Sequence, residues 1–384
     1  MQCRRWCQSA RASSRDSLVI RVCPRGLGLL EEPIGQRGAL GASMVMVREK
    51  GVMSCWGPSK VLVGGLLAKL YKSDPKCHAE PEAGIARGGS DLTTESAQTE
   101  WTVRGLLDLF DVQATGDDRF TGDTGIAVGD ERQVVEGTQV LAQAIVAVAK
   151  RFPDKSVRSA HAVFARAVVV GPPIELVLDV VSEGRSTATA VVAVHQNGRR
   201  CLSITVLADV PTADVIRHHL PKPDVAAPAD AIHSPMPMVG RELRLVDVVD
   251  VNSPDEVGPP ELYAWLHYDP IPARDDLAKA LLAYFTGHLG ISTTMRAHAG
   301  IGTAQAHLTV STAPMSISVA FHEPVSWSGW LLYTHESTQV GAGMSYVRGA
   351  VHSEEGELLC SFAQEALIRP LRTSDTSIDS RARF

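Results

Sequence analysis

From Trp101 onward the apolar residues recur with two periods, and the switches between them mark out the elements. Val103 to Phe110 (VRGLLDLF) has the spacing of a helix. Arg119 to Gly122, around Phe120, reads as a first strand. Gly137 to Phe152 (GTQVLAQAIVAVAKRF) carries almost no charge before Lys150, so it predicts a long helix buried on most sides. Strand-like runs follow at Ser156 to Phe164, Pro173 to Ser182, Ser186 to His195 and Cys201 to Ala208. Gln196-Asn197-Gly198 between the last two is a tight hairpin signal. One buried helix followed by an antiparallel meander predicts a sheet wrapped around that helix.

The second half repeats the first. Arg241 to Val251 and Glu261 to Tyr268 read as strands, and Asp275 to Leu289 (DDLAKALLAYFTGHL) as a second long apolar helix. Strands are then expected at Ala304 to Val310, Met315 to Phe321, Trp330 to Thr334, Ser345 to His352 and Glu357 to Ile368. Ser353-Glu354-Glu355-Gly356 supplies the turn between the last two. GRSTATAVVAVH (Gly184 to His195) and GAGMSYVRGAVH (Gly341 to His352) share their opening glycine, their closing Ala-Val-His and a polar turn ending on Gly. That diverged signature points to duplication of a whole domain. The domains expected are 100–210 and 238–372, followed by a tail at 373–384. Pro211, Pro221, Pro223, Pro228, Pro235 and Pro237 punctuate the stretch between them, so 211–237 reads as a surface linker, with a short helix at Thr212 to His219.

Residues 1–99 lack sustained periodicity. Six arginines between Arg4 and Arg25 precede a Gly-rich patch, and only Val61 to Tyr71 suggests an amphipathic helix. This stretch is expected to be a disordered extension or an upstream segment outside the true reading frame, with Met44, Met46 and Met53 as later starts. An organelle transit peptide is the alternative. The whole chain has 384 residues, 45% hydrophobic and 21% charged, with a formal net charge of −6. That balance fits two cored domains and argues against a general polyanion binder. No apolar run is long enough to span a membrane. Five of the seven cysteines lie before residue 78, without a CxxC pair or zinc spacing, so no metal is expected and a reducing cytoplasm fits.

WLLY at Trp330 to Tyr333, VRG at Val347 to Gly349, and Gln364, Glu365, Ile368 and Arg369 together resemble the closing strands of type II acyl-CoA thioesterases. QVLAQA (Gln139 to Ala144) and the Gly184-Arg185-Ser186 strand with its Gln196-Asn197-Gly198 turn are similar to that family's first domain. The resemblance covers roughly Trp101 to Leu371. It implies an α+β fold of two hotdog domains in tandem, each an antiparallel sheet around a long central helix. It implies hydrolysis of acyl-CoA to free fatty acid and CoA, with no cofactor, no nucleic-acid partner and a homo-oligomer as one possible assembly.

Thioester hydrolysis needs a positioned water, a group to take its proton and donors for the oxyanion. The family resemblance implies an Asp late in the second-domain helix, a Ser or Thr on a following strand and a Gln on the last strand. Gln364 matches the glutamine. Gly287 falls at the Asp position, beside His288, whose imidazole is the candidate base. Pro314 falls at the hydroxyl position, with Thr312 and Ser316 as flanking candidates if Pro314 marks a bulge. Glu136-Gly137-Thr138 departs from a paired glycine that normally precedes the first helix. His322, Glu323, His335, Glu336, His298 and His307 are further polar candidates for a headgroup, or plain surface residues. The rival readings are a diverged, non-catalytic acyl-CoA-binding protein and a hydratase or dehydratase on the same fold.

Overall fold

The computed structural model describes residues 18–23, 26–31, 45–49, 52–63, 66–73, 101–125, 133–236, 238–322, 325 and 327–371. Two compact units result, Met1–Glu95 and Ser96–Phe384. In the first, β1 (Leu18–Cys23) pairs antiparallel with β2 (Gly26–Glu31). β3 (Val45–Glu49), β4 (Val52–Val63) and β5 (Leu66–Ser73) make a second small sheet. The helix expected over Val61 to Tyr71 is therefore a hairpin. Val63 pairs with Leu66 across Gly64-Gly65, a two-residue signal that outweighs the helical spacing of the leucines. The unstructured extension expected over 1–99 contains these strands. The rest of that stretch, and the tail expected at 373–384, lie outside the described residues.

The second unit opens with α1 (Val103–Phe110). Thr102 caps it by accepting the Gly105 N–H at 2.9 Å, and its buried face is Val103, Leu106, Leu107 and Phe110. β6 (Gln113–Gly116) and β7 (Arg119–Gly122) precede α2 (Gly137–Arg151), in which every residue from Thr138 to Val148 is buried. The meander follows as β8 (Ser156–Phe164), β9 (Ile174–Glu183), β10 (Thr187–Gln196) and β11 (Arg199–Asp209). Asn197 and Gly198 take φ of 51° and 71°, the mirror-image turn their identities favour. β12 (Ile232–His233) forms inside the stretch expected as a linker, and β13 (Arg241–Leu245), β14 (Glu261–Tyr268), α3 (Asp275–Phe285) and α4 (Gly290–Met295) follow. β15 (Val310–Phe321), β16 (Leu331–Gly341), β17 (Met344–Ser353) and β18 (Leu358–Pro370) complete the chain.

All these strands join one antiparallel sheet of 13, in the order β12-β13-β14-β16-β17-β18-β15-β8-β11-β10-β9-β7-β6. Each half is the sheet-around-helix expected of a hotdog, and the repeated segments are β10 and β17. The halves meet where β8 pairs with β15, from Ser316–Val163 to Ala320–Ser159. That seam brings α2 and α3 into contact. Polar groups caught near it are paired. Lys279, buried, holds Asp275 at 2.9 Å and touches the Ser156 hydroxyl, which donates to Asp275 at 2.6 Å. The stretch around Ala226 and Pro228 lies against the second half: Trp265 donates to the Ala226 carbonyl at 2.8 Å, and Arg244 to that of Pro228 at 2.8 Å.

Several expected bounds move. The second helix ends at Phe285 instead of Leu289, because the chain turns at Gly287 and Leu289 takes a left-handed φ of 63° before α4 begins. Ala304 to Thr309 is part of a 3₁₀ turn at Thr303–Gln305 and a loop, and the strand begins only at Val310. The strand from Arg241 stops at Leu245, two residues before Asp247 adopts φ 55°. Thr212 to His219 forms no helix and bends at Val215 and Ile216. β16 runs on to Gly341, well past Thr334.

His335 on β16 is fully buried and meets the edge of Phe362 at 5.2 Å. Phe362 reaches it across Gly349, where a Cβ would stand 2.3 Å from the ring. Burial pushes the His335 imidazole down to about 4, from the ordinary 6.5, although the backbone of Leu262 and His288 offsets part of that cost. The folded chain thus prefers the neutral ring, and the unfolded chain binds more protons between these values. The stability this group contributes is full above pH 6.5 and is lost as pH falls towards 4. Thermal midpoints measured from pH 7 down to pH 4 should fall, and His335→Gln should flatten that limb. An unchanged limb in the variant would assign it to other groups, such as His352, which burial also lowers.

Candidate active site

β18 carries Gln364 inward against the turn that closes α3. The residue is buried, and its amide donates to the Gly287 carbonyl at 3.3 Å. Its Oε1 has no hydrogen-bond partner among the described residues. An unmet buried acceptor costs about 1–3 kcal/mol, so this oxygen favours a donor such as water. Gly290 makes the approach possible: a Cβ there would stand 1.9 Å from Oε1. The equivalent rung in the first half is apolar. Matching the repeated segments sets Val347 against Ala190, and their partners are Gln364 and the fully buried Val206.

Gly287 faces the other half. A Cβ built on it would lie 2.5 Å from the methyl of Thr138 on α2. Thr138 is buried, so its side chain fills the volume that a side chain at 287 would need. The glycine at the expected acid position and the threonine in place of a second glycine are therefore one steric arrangement.

The His288 ring stacks on Phe285, with centroids 4.7 Å apart, and stands edge-on to Tyr284 at 5.0 Å. Its Nδ1 lies 3.2 Å from the Tyr284 carbonyl, and its Nε2 lies 3.4 Å from Oε2 of Glu136. Both nitrogens thus face acceptors, and only the doubly protonated ring can donate to both. Glu136 precedes the first turn of α2 but makes no capping bond to it. Burial works against its charge. Electrostatic attraction and a hydrogen bond from His288, then the Tyr284 hydroxyl and the Arg241 guanidinium, outweigh burial and hold its carboxyl at about 2. Burial and the Glu136 charge push the Tyr284 phenol well up. Arg241 donates Nη2 to the Met236 carbonyl at 2.9 Å, and its register partner is Tyr268. Arg241 Nε and Nη1 and the Tyr268 hydroxyl are buried without partners among the described residues.

The structure brings Gln364 and His288 to one turn and leaves the two hydroxyl candidates elsewhere. Register shifts between Pro314 and Ser316, so the bulge is present, with Met315 the extra residue. Ser316 then pairs with Glu365, on the face opposite Gln364, and donates to its carboxylate at 2.6 Å. Thr312 pairs with Ile368, on the same face as Gln364 but about 13 Å along the strand, at about 3.3 Å per residue. Its hydroxyl lies 3.4 Å from His307 Nε2. Of the remaining polar candidates, His335 reaches the backbone of His288 at this turn, and the others have partners or exposure of their own. Glu336 pairs with Arg348 at 2.8 Å, His322 with Ser361 at 2.8 Å, and His298 is exposed. Glu323 lies outside the described residues. Glu136, Thr138, Tyr284, Arg241 and Tyr268 were not singled out as site residues. The signal available for the first two was the departure at Glu136-Gly137-Thr138.

Comparison with known proteins bears on this geometry. A family model described as acyl-CoA thioesterase N-terminal domain matches residues 130–208, and one described as acyl-CoA thioesterase C-terminal domain matches residues 220–368. Acyl-CoA thioesterase 2 of Haemophilus influenzae is 28% identical over 257 residues, covering 62% of this chain and 88% of that protein. Acyl-coenzyme A thioesterase 8 of Mus musculus is 26% identical over 260 residues, covering 61% and 79%. Among solved structures, a tesB protein from Mycobacterium avium subsp. paratuberculosis superposes with a TM-score of 0.60 at 21% identity, covering 70% of this chain and all of that one. An acyl-CoA thioesterase II from Mycobacterium marinum gives 0.59 at 21%, covering 69% and 98%. These two structures show the shared hotdog fold.

The contact between positions 287 and 138 can be checked directly. Gly287→Asp alone forces a side chain into the Thr138 methyl and should destabilise the protein by about 1–3 kcal/mol, the usual cost of overpacking. Adding Thr138→Gly should recover most of that loss in thermal melts. Equal losses with and without the second change would show that the two positions do not share this space.

Proposed function

Residues 130–368 of this chain belong to the type II acyl-CoA thioesterase family, and from that membership we propose that the protein hydrolyses acyl-CoA to the free acid and CoA through one water held at Gln364. The observation that carries the reading is the buried Gln364 amide, committed to Gly287 on its donor side and unmet at Oε1. Oε1 accepts an O–H from the water and so points a lone pair of that water at the thioester carbon. The attacking oxygen forms a bond to the carbonyl carbon as the carbonyl oxygen takes up charge. When that tetrahedral species collapses, the C–S bond breaks and the sulfur leaves as thiolate, taking up the proton that the attacking water gives up to become the CoA thiol. His288, at the same turn, is the second side chain of the reading. Thr312 and Ser316 take no part in it, because of the rungs and faces they occupy. A reducing cytoplasm is the setting proposed, and 211–237 is proposed as the joint between the two hotdog domains.

CoA release from a panel of acyl-CoAs of graded chain length tests this. Wild-type protein should turn over at least one of them, and Gln364→Ala should lower kcat by about 10²-fold, the scale of losing one preorganised group at a reacting centre. Full turnover in Gln364→Ala would remove that residue from the site. Wild-type protein that binds acyl-CoA tightly yet releases no CoA would be a binding protein instead.

A further inference from the structure

We infer that Glu136, contributed by the first half of the chain, is the carboxylate that takes the proton from the attacking water, and that His288 serves it as a fixed cation. The inference rests on the hydrolysis proposed above and names the base for it.

Four observations lead there. Position 287 carries no side chain, and Thr138 occupies the space one would need. His288 has a carbonyl at Nδ1 and a carboxylate at Nε2, so neither nitrogen presents a lone pair to a water. Glu365, next to Gln364, points to the opposite face of the sheet and is tied to Ser316. Glu136 remains: one of its oxygens lies on His288, and 52% of its side-chain surface is exposed. It sits at the N-cap of α2, two residues before the threonine that covers Gly287, and does not spend its carboxylate on capping that helix.

The groups around the pair favour the ionised carboxylate at rest. Facing it are His288 and Tyr284 from the end of α3, Arg241 from β13 and Tyr268 from β14. His335 on β16 adds a further interaction with His288. In the reaction the water gives one proton to Glu136 as its oxygen bonds to the thioester carbon. When the C–S bond breaks, that proton passes to the leaving sulfur. The products are the carboxylic acid and CoA thiol, and Glu136 returns to its carboxylate form.

The two roles for His288 predict opposite pH behaviour. A histidine base must lose a proton to work, so the rate rises with pH through its ionisation. A histidine cation must keep both protons, so the rate falls across the same range. With Glu136 as base, wild-type kcat should therefore fall on the alkaline side, and Glu136→Gln should lower it by at least 10²-fold with little change in KM. Glu136→Ala should recover part of its rate in added formate, a gain that a purely structural role would not give. It also serves if Glu136→Gln fails to fold. Wild-type kcat that climbs with pH, with the limb abolished in His288→Gln, would return the base to His288 and overturn the inference. So would Glu136→Gln that turns over normally while Gln364→Ala does not, an outcome that leaves the hydrolysis reading standing. No CoA release by wild-type protein would remove both.

Discussion

The pairing of β8 with β15 is the constraint on which the rest of this molecule depends. Separate sheets could wrap their helices independently. Joined edge to edge they present one continuous inner face, and both helices must share it. α2 answers by being buried from Thr138 to Val148, with alanines and valines that allow close approach. α3 does the same from Ala278 to Phe285, with Lys279 kept neutralised by Asp275 beside Ser156 of β8. The pairing also removes two edges that would otherwise offer free N–H and C=O groups to other chains.

The candidate site follows from that geometry. Helices that touch bring the start of α2 against the end of α3, and the unusual residues of both collect there. Gly287, Gly290 and the left-handed Leu289 let the chain fold over Gln364. Thr138 and Glu136 approach the same turn from the other side, and the Glu136 carboxylate meets His288 there, with Arg241 adding its charge.

Much of the fold was legible because period and turn chemistry agree. α1, β7 and β14 begin and end at the residues their patterns indicate. The failures have local causes that composition hides. A glycine in TGHLG reads as tolerable inside an amphipathic helix, yet here it turns the chain because of what it must fit against. The apolar positions of Ala304 to Val310 suggest a strand, but Gly302 and the capping Gln305 close a 3₁₀ turn first. Gln364 was visible through its flanking residues. Ser316 and Thr312 were plausible on spacing alone, because a one-residue bulge reverses which face each side chain takes and leaves no mark in the periodicity. Glu136 was invisible as a partner of His288, because no one-dimensional pattern reports that the start of one helix touches the end of another.

Val206 and Gln364 stand at matching rungs of two copies of one ancestral unit. Two identical subunits would carry the same residue at both, so any change would strike both sites at once. Joined covalently, the copies are released from that symmetry. One carries an amide, while the other has hydrocarbon at the equivalent place and a carboxylate at its helix start. Neither copy could be replaced by a duplicate of the other without losing one of these groups. The fusion has turned two equivalent subunits into specialised halves with a fixed one-to-one stoichiometry.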